Sequence, residues 1–294
     1  MSSGMVTAGC RQNGAALLLV LWLVALLAAL IGAFAFAART EQLLGRATVD
    51  AAVAQQAARA GLDYALSRTG QAGEAHVWWP DGRANVLQLG AIHVEVALVD
   101  EQGKVDLNQA SHMLIAGLLR ALDAEQPQVL AGVIVDWRDE DSLTQPAGGA
   151  EDGDYAAAGR PYGAKDAPFE SITELQQLLG MTPELYARLA PNVTVHSRNP
   201  DPDPTFAPPA VLTALGLDAA GIGARRAAWR PGPDAPPVVP GAVGRVGGTF
   251  GIVSRARLPH GYEGTLRAVV RTGPGGLPGA AYTVLSWEEG SLLR

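Results

Sequence analysis

Seven carboxylates fall within the 19 residues from Asp136 to Asp154, with Arg138 as the one cation among them. Holding so many like charges on a folded surface costs Coulomb repulsion unless a positive group neutralises them. An all-oxygen donor set suits a hard cation, and Ca²⁺ accepts about 6–8 oxygens in flexible geometry. The stretch is not an EF-hand: counted from Asp136, the third position is Arg138, and no D-x-D-x-D-G frame fits. Its spacing suits a two-walled site, with Asp139 and Asp141 on one wall and Glu151, Asp152 and Asp154 on the other. The turn Pro146-Ala-Gly-Gly149 between them lets the walls meet. The competing reading is a solvated acidic loop, the usual fate of a charge run.

Other chemistry finds little support. Paired carboxylates also serve glycoside hydrolysis, but the chain is only 6% aromatic and offers no obvious sugar platform. No Gly-x-Ser-x-Gly elbow, P-loop or dinucleotide glycine pattern is present. The five histidines are scattered without ligand spacing, and a lone Cys10 excludes a disulfide framework. Residues 172–191 resemble a helix-hairpin-helix unit, two short helices pivoting at Gly180 with Thr182 as cap and Pro183 at the first helical position. Ala210 to Gly216 looks like a degenerate relative of it. Such units often grip DNA, but Glu174 and Glu184 flank this one with a single Arg188, so a packing module is the better reading.

The elements that must carry these residues are legible in outline. The net charge of −7 is uneven: residues 109–240 hold 17 Asp/Glu against 9 Lys/Arg, and the remainder is close to neutral. An acidic middle segment repels phosphate backbones, which argues against nucleic acid as a partner. Ala15 to Ala38 is a run of 24 residues without a charge, about 36 Å as a helix and longer than the ~30 Å hydrocarbon core. It is too long for the apolar stretch of a cleaved signal, and the charges flanking it do not decide an orientation. Residues 39–69 continue as helix. Leu44, Ala47, Ala51, Ala54, Ala58, Gly61 and Ala65 form one face of mostly small side chains, able to lie close against a sheet or helix.

Strand alternation follows at 92–98, preceded by 86–89, and returns at 250–257, 265–271 and 281–287. Between them come helical patterns joined by Pro-rich connectors at 199–204 and 230–237. The order helix, strands, helical block, strands predicts an α+β fold. A long N-terminal helix backs one antiparallel sheet whose terminal strands complete it around an inserted all-helical domain. The expected organisation is a leader at 1–14, a transmembrane part at 15–38, a first core part at 39–108, the insert at 109–240 and closing strands at 241–294.

Taken in order, the motifs resemble the type II secretion minor pseudopilins of the general secretion pathway protein K family. They are the Gly14/Ala15 boundary, Val105-Asp-Leu-Asn108, Asp136-Trp-Arg-Asp-Glu-Asp141, and Gly149-Ala-Glu-Asp152 with Tyr155. They continue with Phe169-Glu-Ser-Ile-Thr-Glu-Leu175, Gly180-Met-Thr-Pro183, Tyr186 to Pro191 and Tyr282-Thr-Val-Leu-Ser-Trp287. The resemblance implies a pilin-like core interrupted by a helical domain, and calcium held at Asp139, Asp141, Glu151, Asp152 and Asp154. It implies cleavage after Gly14 by the prepilin peptidase, methylation of the new amino terminus at Ala15, and an inner-membrane anchor with a periplasmic body. The implied role is non-enzymatic: with the I- and J-type minor pseudopilins it forms a tip complex that starts the pseudopilus of major pseudopilin on the inner-membrane assembly platform. Leu19, fifth from Ala15, stands where most pilin-class subunits carry Glu, which the resemblance connects with the tip position. The chain departs from the family in having Ala15 where phenylalanine is common. The alternative functional readings are a membrane-anchored DNA-binding component of a competence pilus and an anchored calcium-dependent hydrolase, the latter without a nucleophile or base to name.

Overall fold

A computed structural model describes residues 13–69, 78–228, 248–273 and 282–293, with side chains described within residues 16–290 of these spans. Residues 1–12 of the expected leader, the 230–237 connector and the expected boundary at 240/241 lie outside the described residues. The chain divides into two compact units, residues 1–53 and 54–294.

Helix α1 runs Asn13–Ser67. In the first unit its apolar stretch is bare: the large side chains from Leu17 to Phe36 are all exposed, Trp22 by 68% and Phe36 by 74%. Among the described residues this is the one helix long and apolar enough to cross a membrane. Leu19 lies on it and is exposed, as is Leu44 of the small-residue face. Gly14 and Ala15 lie in its first turn.

The strands of the second unit are β1 (Asp81–Leu89), β2 (Ile92–Asp100), the two-residue β3 (Val105–Asp106) and β4 (Val193–Thr194), β5 (Thr249–Arg257), β6 (Tyr262–Arg271) and β7 (Thr283–Leu293). Five of them form one sheet ordered β1-β2-β5-β6-β7, antiparallel throughout. The chain leaves this sheet after β2 and returns beside it as β5, so closing strands complete a sheet begun before the insert, as the sequence order predicts. Alternation sets the faces: Val94, Val96 and Leu98 of β2, Ile252 and Ala256 of β5, and Leu266, Ala268 and Val270 of β6 point at α1. There they meet Ala57, Ala58, Leu62 and Ala65. Small residues on both sides let backbone approach backbone. A Cβ on Gly61 would sit 2.5 Å from Ser254 Oγ, and one on Gly264 would sit 2.5 Å from the Ala54 carbonyl.

The insert has its own core. Around Leu118, Leu119, Ile134, Trp137, Tyr155, Leu175, Leu189 and Leu212 it gathers α2 (His112–Ala121), α3 (Pro127–Arg138), α4 (Asp152–Ala157), α5 (Pro183–Leu189), α6 (Pro209–Ala214) and α7 (Ala219–Ala228). It also contains a strand pairing the sequence pattern did not signal. The short β3 pairs in parallel with β4, and Val105 and Leu107 are buried in the insert's core. Two residues per strand are too few to show alternation. The first arm of the helix-hairpin-helix-like unit is a 3₁₀ helix, Ile172–Gln177. Gly180 turns with φ +82°, and Thr182 Oγ1 accepts from Leu185 N at the start of α5.

Candidate metal centre

The motifs that surround the acidic loop are anchoring devices. Asp106, fully buried, accepts from Asn108 N, Ser197 Oγ and Arg198 N at 2.8–2.9 Å. The Asn108 side chain accepts from Phe169 N at 2.8 Å and donates to Phe169 O at 2.9 Å. Glu174 accepts from Trp137 Nε1, Lys165 Nζ, and the backbone N–H groups of Glu170 and Ser171. Its carboxyl pKa is lowered; burial pushes the other way, but the Lys165 bond and three N–H donors outweigh it. These contacts fix an aromatic group, Trp137, Tyr155, Tyr162 and Phe169, with ring centroids 5.8–6.5 Å apart in the contacting pairs.

Against this frame the last turn of α3 brings Asp136 and Asp139 to Glu151, with one carboxylate oxygen from each lying within 4.8 Å of the others. Asp136 is wholly buried. Its Oδ1 accepts from Gln145 N at 3.3 Å and its Oδ2 from Ala150 N at 2.9 Å, so the loop folds back onto it. The glycines of the predicted turn make that possible. A Cβ on Gly149 would overlap Asp136 Oδ2, one on Gly132 would overlap Gly148 O, and Gly148 has φ +99°. Among the described residues, Asp139 Oδ1 and Glu151 Oε1 are buried without a hydrogen-bond partner.

The electrostatics are those of carboxylates without sufficient counter-charge. Burial pushes Asp136 up to about 6 against its two backbone bonds, with Asp139 adding to the shift. Burial pushes Glu151 up to about 7, helped by the charges of Asp136, Asp139, Asp166 and Asp141. Asp139 is raised by burial and by Asp141, with Arg138 opposing. Three converging carboxylates with orphaned oxygens suit a hard, oxygen-ligated cation.

Of the five acidic positions expected from the sequence, Asp139 and Glu151 converge. Asp141, Asp152 and Asp154 do not join that cluster; they are exposed and each commits an oxygen to backbone. Asp141 Oδ1 accepts from Leu143 N, Asp152 Oδ1 from Ala164 N and Asp154 Oδ2 from Glu151 N. Asp136 was missed. Its signal was its place in an apolar helical stripe, three residues after Val133 and beside Trp137, both buried. Asp166, whose charge acts on both Asp139 and Glu151, had no such signal.

Residues 82–198 match the family model for type II secretion system (T2SS), protein K. The type II secretion system protein K of Klebsiella pneumoniae is 30% identical over 214 residues, which is 62% of this chain and 62% of that protein. The aligned region thus spans less than two thirds of that relative's length. One chain in the crystal structure of the GspK-GspI-GspJ complex from the enterotoxigenic Escherichia coli type 2 secretion system shares the fold. The TM-score is 0.59 at 21% identity, over 86% of this chain and 98% of that one. These findings bear out the resemblance read from the motifs, the match to the protein K family model itself covering residues 82–198.

Proposed function

We propose that the chain is a minor pseudopilin of type II secretion, a structural subunit at the tip of the periplasmic pseudopilus that helps export folded proteins across the outer membrane. The observation that carries this reading is the combination of a bare apolar helix, a pilin-like sheet packed on its continuation, and a helical insert in a protein K sequence. The partners are an I-type and a J-type minor pseudopilin, named together in the solved complex that shares this fold. The major pseudopilin, the prepilin peptidase and the inner-membrane assembly platform complete the set. Cleavage between Gly14 and Ala15 and methylation of the Ala15 amine would mature the chain, leaving the helix in the inner membrane and the body in the periplasm. Leu19 gives this subunit no carboxylate to offer a neighbour's amino terminus, which favours the topmost position.

The insert would hold Ca²⁺ through Asp136, Asp139 and Glu151. The fit rests on the two orphaned buried oxygens and on the raised carboxyl pKa values, since an ion would neutralise groups the protein leaves unpaired. It would cross-link the end of α3 to the start of α4.

Membrane extraction from the native host tests the reading. The expected mature chain begins at Ala15 with one added methyl group and co-purifies with I- and J-type subunits at equal stoichiometry. An uncut chain that is isolated without either partner would refute it.

A further inference from the structure

Arg138 lies between Asp136 and Asp139 and two other parts of the fold. Its guanidinium donates to Leu107 O and, at 2.6 Å, to Ala110 O, while the charges of Asp106 and Asp139 act on it. The segment it grips continues outward. Leu107 N donates to Thr194 O, and Asp106 holds Ser197 and Arg198. The adjoining His196 carbonyl accepts from Arg271 of β6, whose Nε also donates to Thr249 Oγ1 of β5. A set of polar contacts thus runs from Arg138, the chain neighbour of Asp139, to the sheet.

We propose that Arg138 is a positioning residue that couples cation binding at the Asp136/Asp139/Glu151 cluster to the order of the insert's attachment to the sheet. The proposal rests on the cation site proposed above. Asp139 is the C-cap residue of α3, its N–H bonded to Val135 O. Without a cation, repulsion from Asp136 and Glu151 acts on Asp139 and strains this last turn, which also carries Arg138. A bound cation reverses the sign of that interaction and fixes the turn. Arg138 is then held on Leu107 and Ala110, the 105–110 segment on 194–198, and His196 on Arg271. Two-state order at a helix end is the physical element; the hydrogen bonds only transmit it.

Hydrogen exchange on the full chain in detergent, with Ca²⁺ or with chelator, tests this. Protection should rise with Ca²⁺ in 136–151 and also in 105–110 and 194–198. In Arg138→Met, Tb³⁺ luminescence sensitised through Trp137 should report retained ion binding, while the Ca²⁺-dependent protection at 194–198 disappears. A merely structural arginine would lower protection equally with and without the ion. Arg138→Lys, which keeps the charge but cannot fork two carbonyls, should lose most of the same response and gives a milder variant. Wild-type protection confined to 136–151 while Tb³⁺ binds would overturn the coupling and leave the ion site standing. Failure of Tb³⁺ to bind would overturn both.

Discussion

Removing the cation should make the insert's stability fall as the pH rises. Asp136 moves from an ordinary value of 3.8 to about 6 and Glu151 from 4.5 to about 7 in the folded chain. At pH 5–6 the ion-free folded state therefore holds protons that the unfolded chain has released. A folded-state pKa raised above its unfolded value contributes stability that is present at low pH and lost as the pH climbs through the folded value. For Asp136 the loss runs from about pH 4 to about 6, and for Glu151 from about 4.5 to about 7. A tenfold change in proton affinity is worth about 1.4 kcal/mol, so each group loses about 3 kcal/mol across its window. The two are neighbours and do not titrate independently, and a total of about 3–6 kcal/mol is the expected range. Calcium favours the charged carboxylates and should remove the downward slope, so that its stabilisation grows with pH.

Hydrogen exchange of the α3 amides Leu130–Trp137, which lie in the insert's core, reports this in the full chain. Rates corrected for their intrinsic pH dependence would be compared at pH 5, 6, 7 and 8 with chelator and with Ca²⁺. Falling protection with chelator and level protection with Ca²⁺ is the expected pair. Glu151→Gln should flatten the chelated profile above pH 6 and abolish the Ca²⁺ response. A chelated profile that is flat or rises between pH 5 and 7, or two profiles that coincide, would refute the reasoning.

Three other outcomes are expected. Tb³⁺ titration should show at least about tenfold weaker binding for Asp136→Asn and Glu151→Gln, and changes within about threefold for Asp152→Asn and Asp154→Asn, because ion affinity follows the charges that converge. Gly264→Ala should destabilise the sheet unit by about 2–3 kcal/mol in thermal or denaturant unfolding, since its methyl meets the backbone of Ala54 and Gln55 rather than a movable side chain. Asn108→Ala leaves the N–H and C=O of Phe169 without the partners they have now; about 2 kcal/mol of insert stability should go, with faster exchange at residue 169.

The sheet was legible because both faces of its central strands obey a period of two against a helix of small residues. Its edges were less so. Asp81 of β1 and Glu288 to Gly290 of β7 carry no apolar alternation, and pairing to an inner strand places them in the sheet. The small-residue face on α1 tells the same story. Ala54, Ala58, Gly61 and Ala65 are buried by the sheet, whereas Leu44, on the same stripe and larger, is exposed. Periodicity marks a face, and only the partner decides how far along it burial extends.

The acidic loop exposes a different limit. Counting carboxylates located the loop but not which of them converge, because chain proximity and spatial convergence follow different rules there. Asp152 and Asp154 sit at the start of α4, where each carboxylate accepts from a backbone N–H, Asp154 within its own turn and Asp152 from Ala164. Asp136 sits eight residues beyond Gln128 in a helix whose other inward positions are apolar, with two backbone N–H groups and a glycine pair shaped around it. A fully buried aspartate in that setting costs more to maintain than any exposed one. The acid to single out was therefore the one placed where hydrophobic side chains belong, and the run of exposed acids after it was the weaker signal.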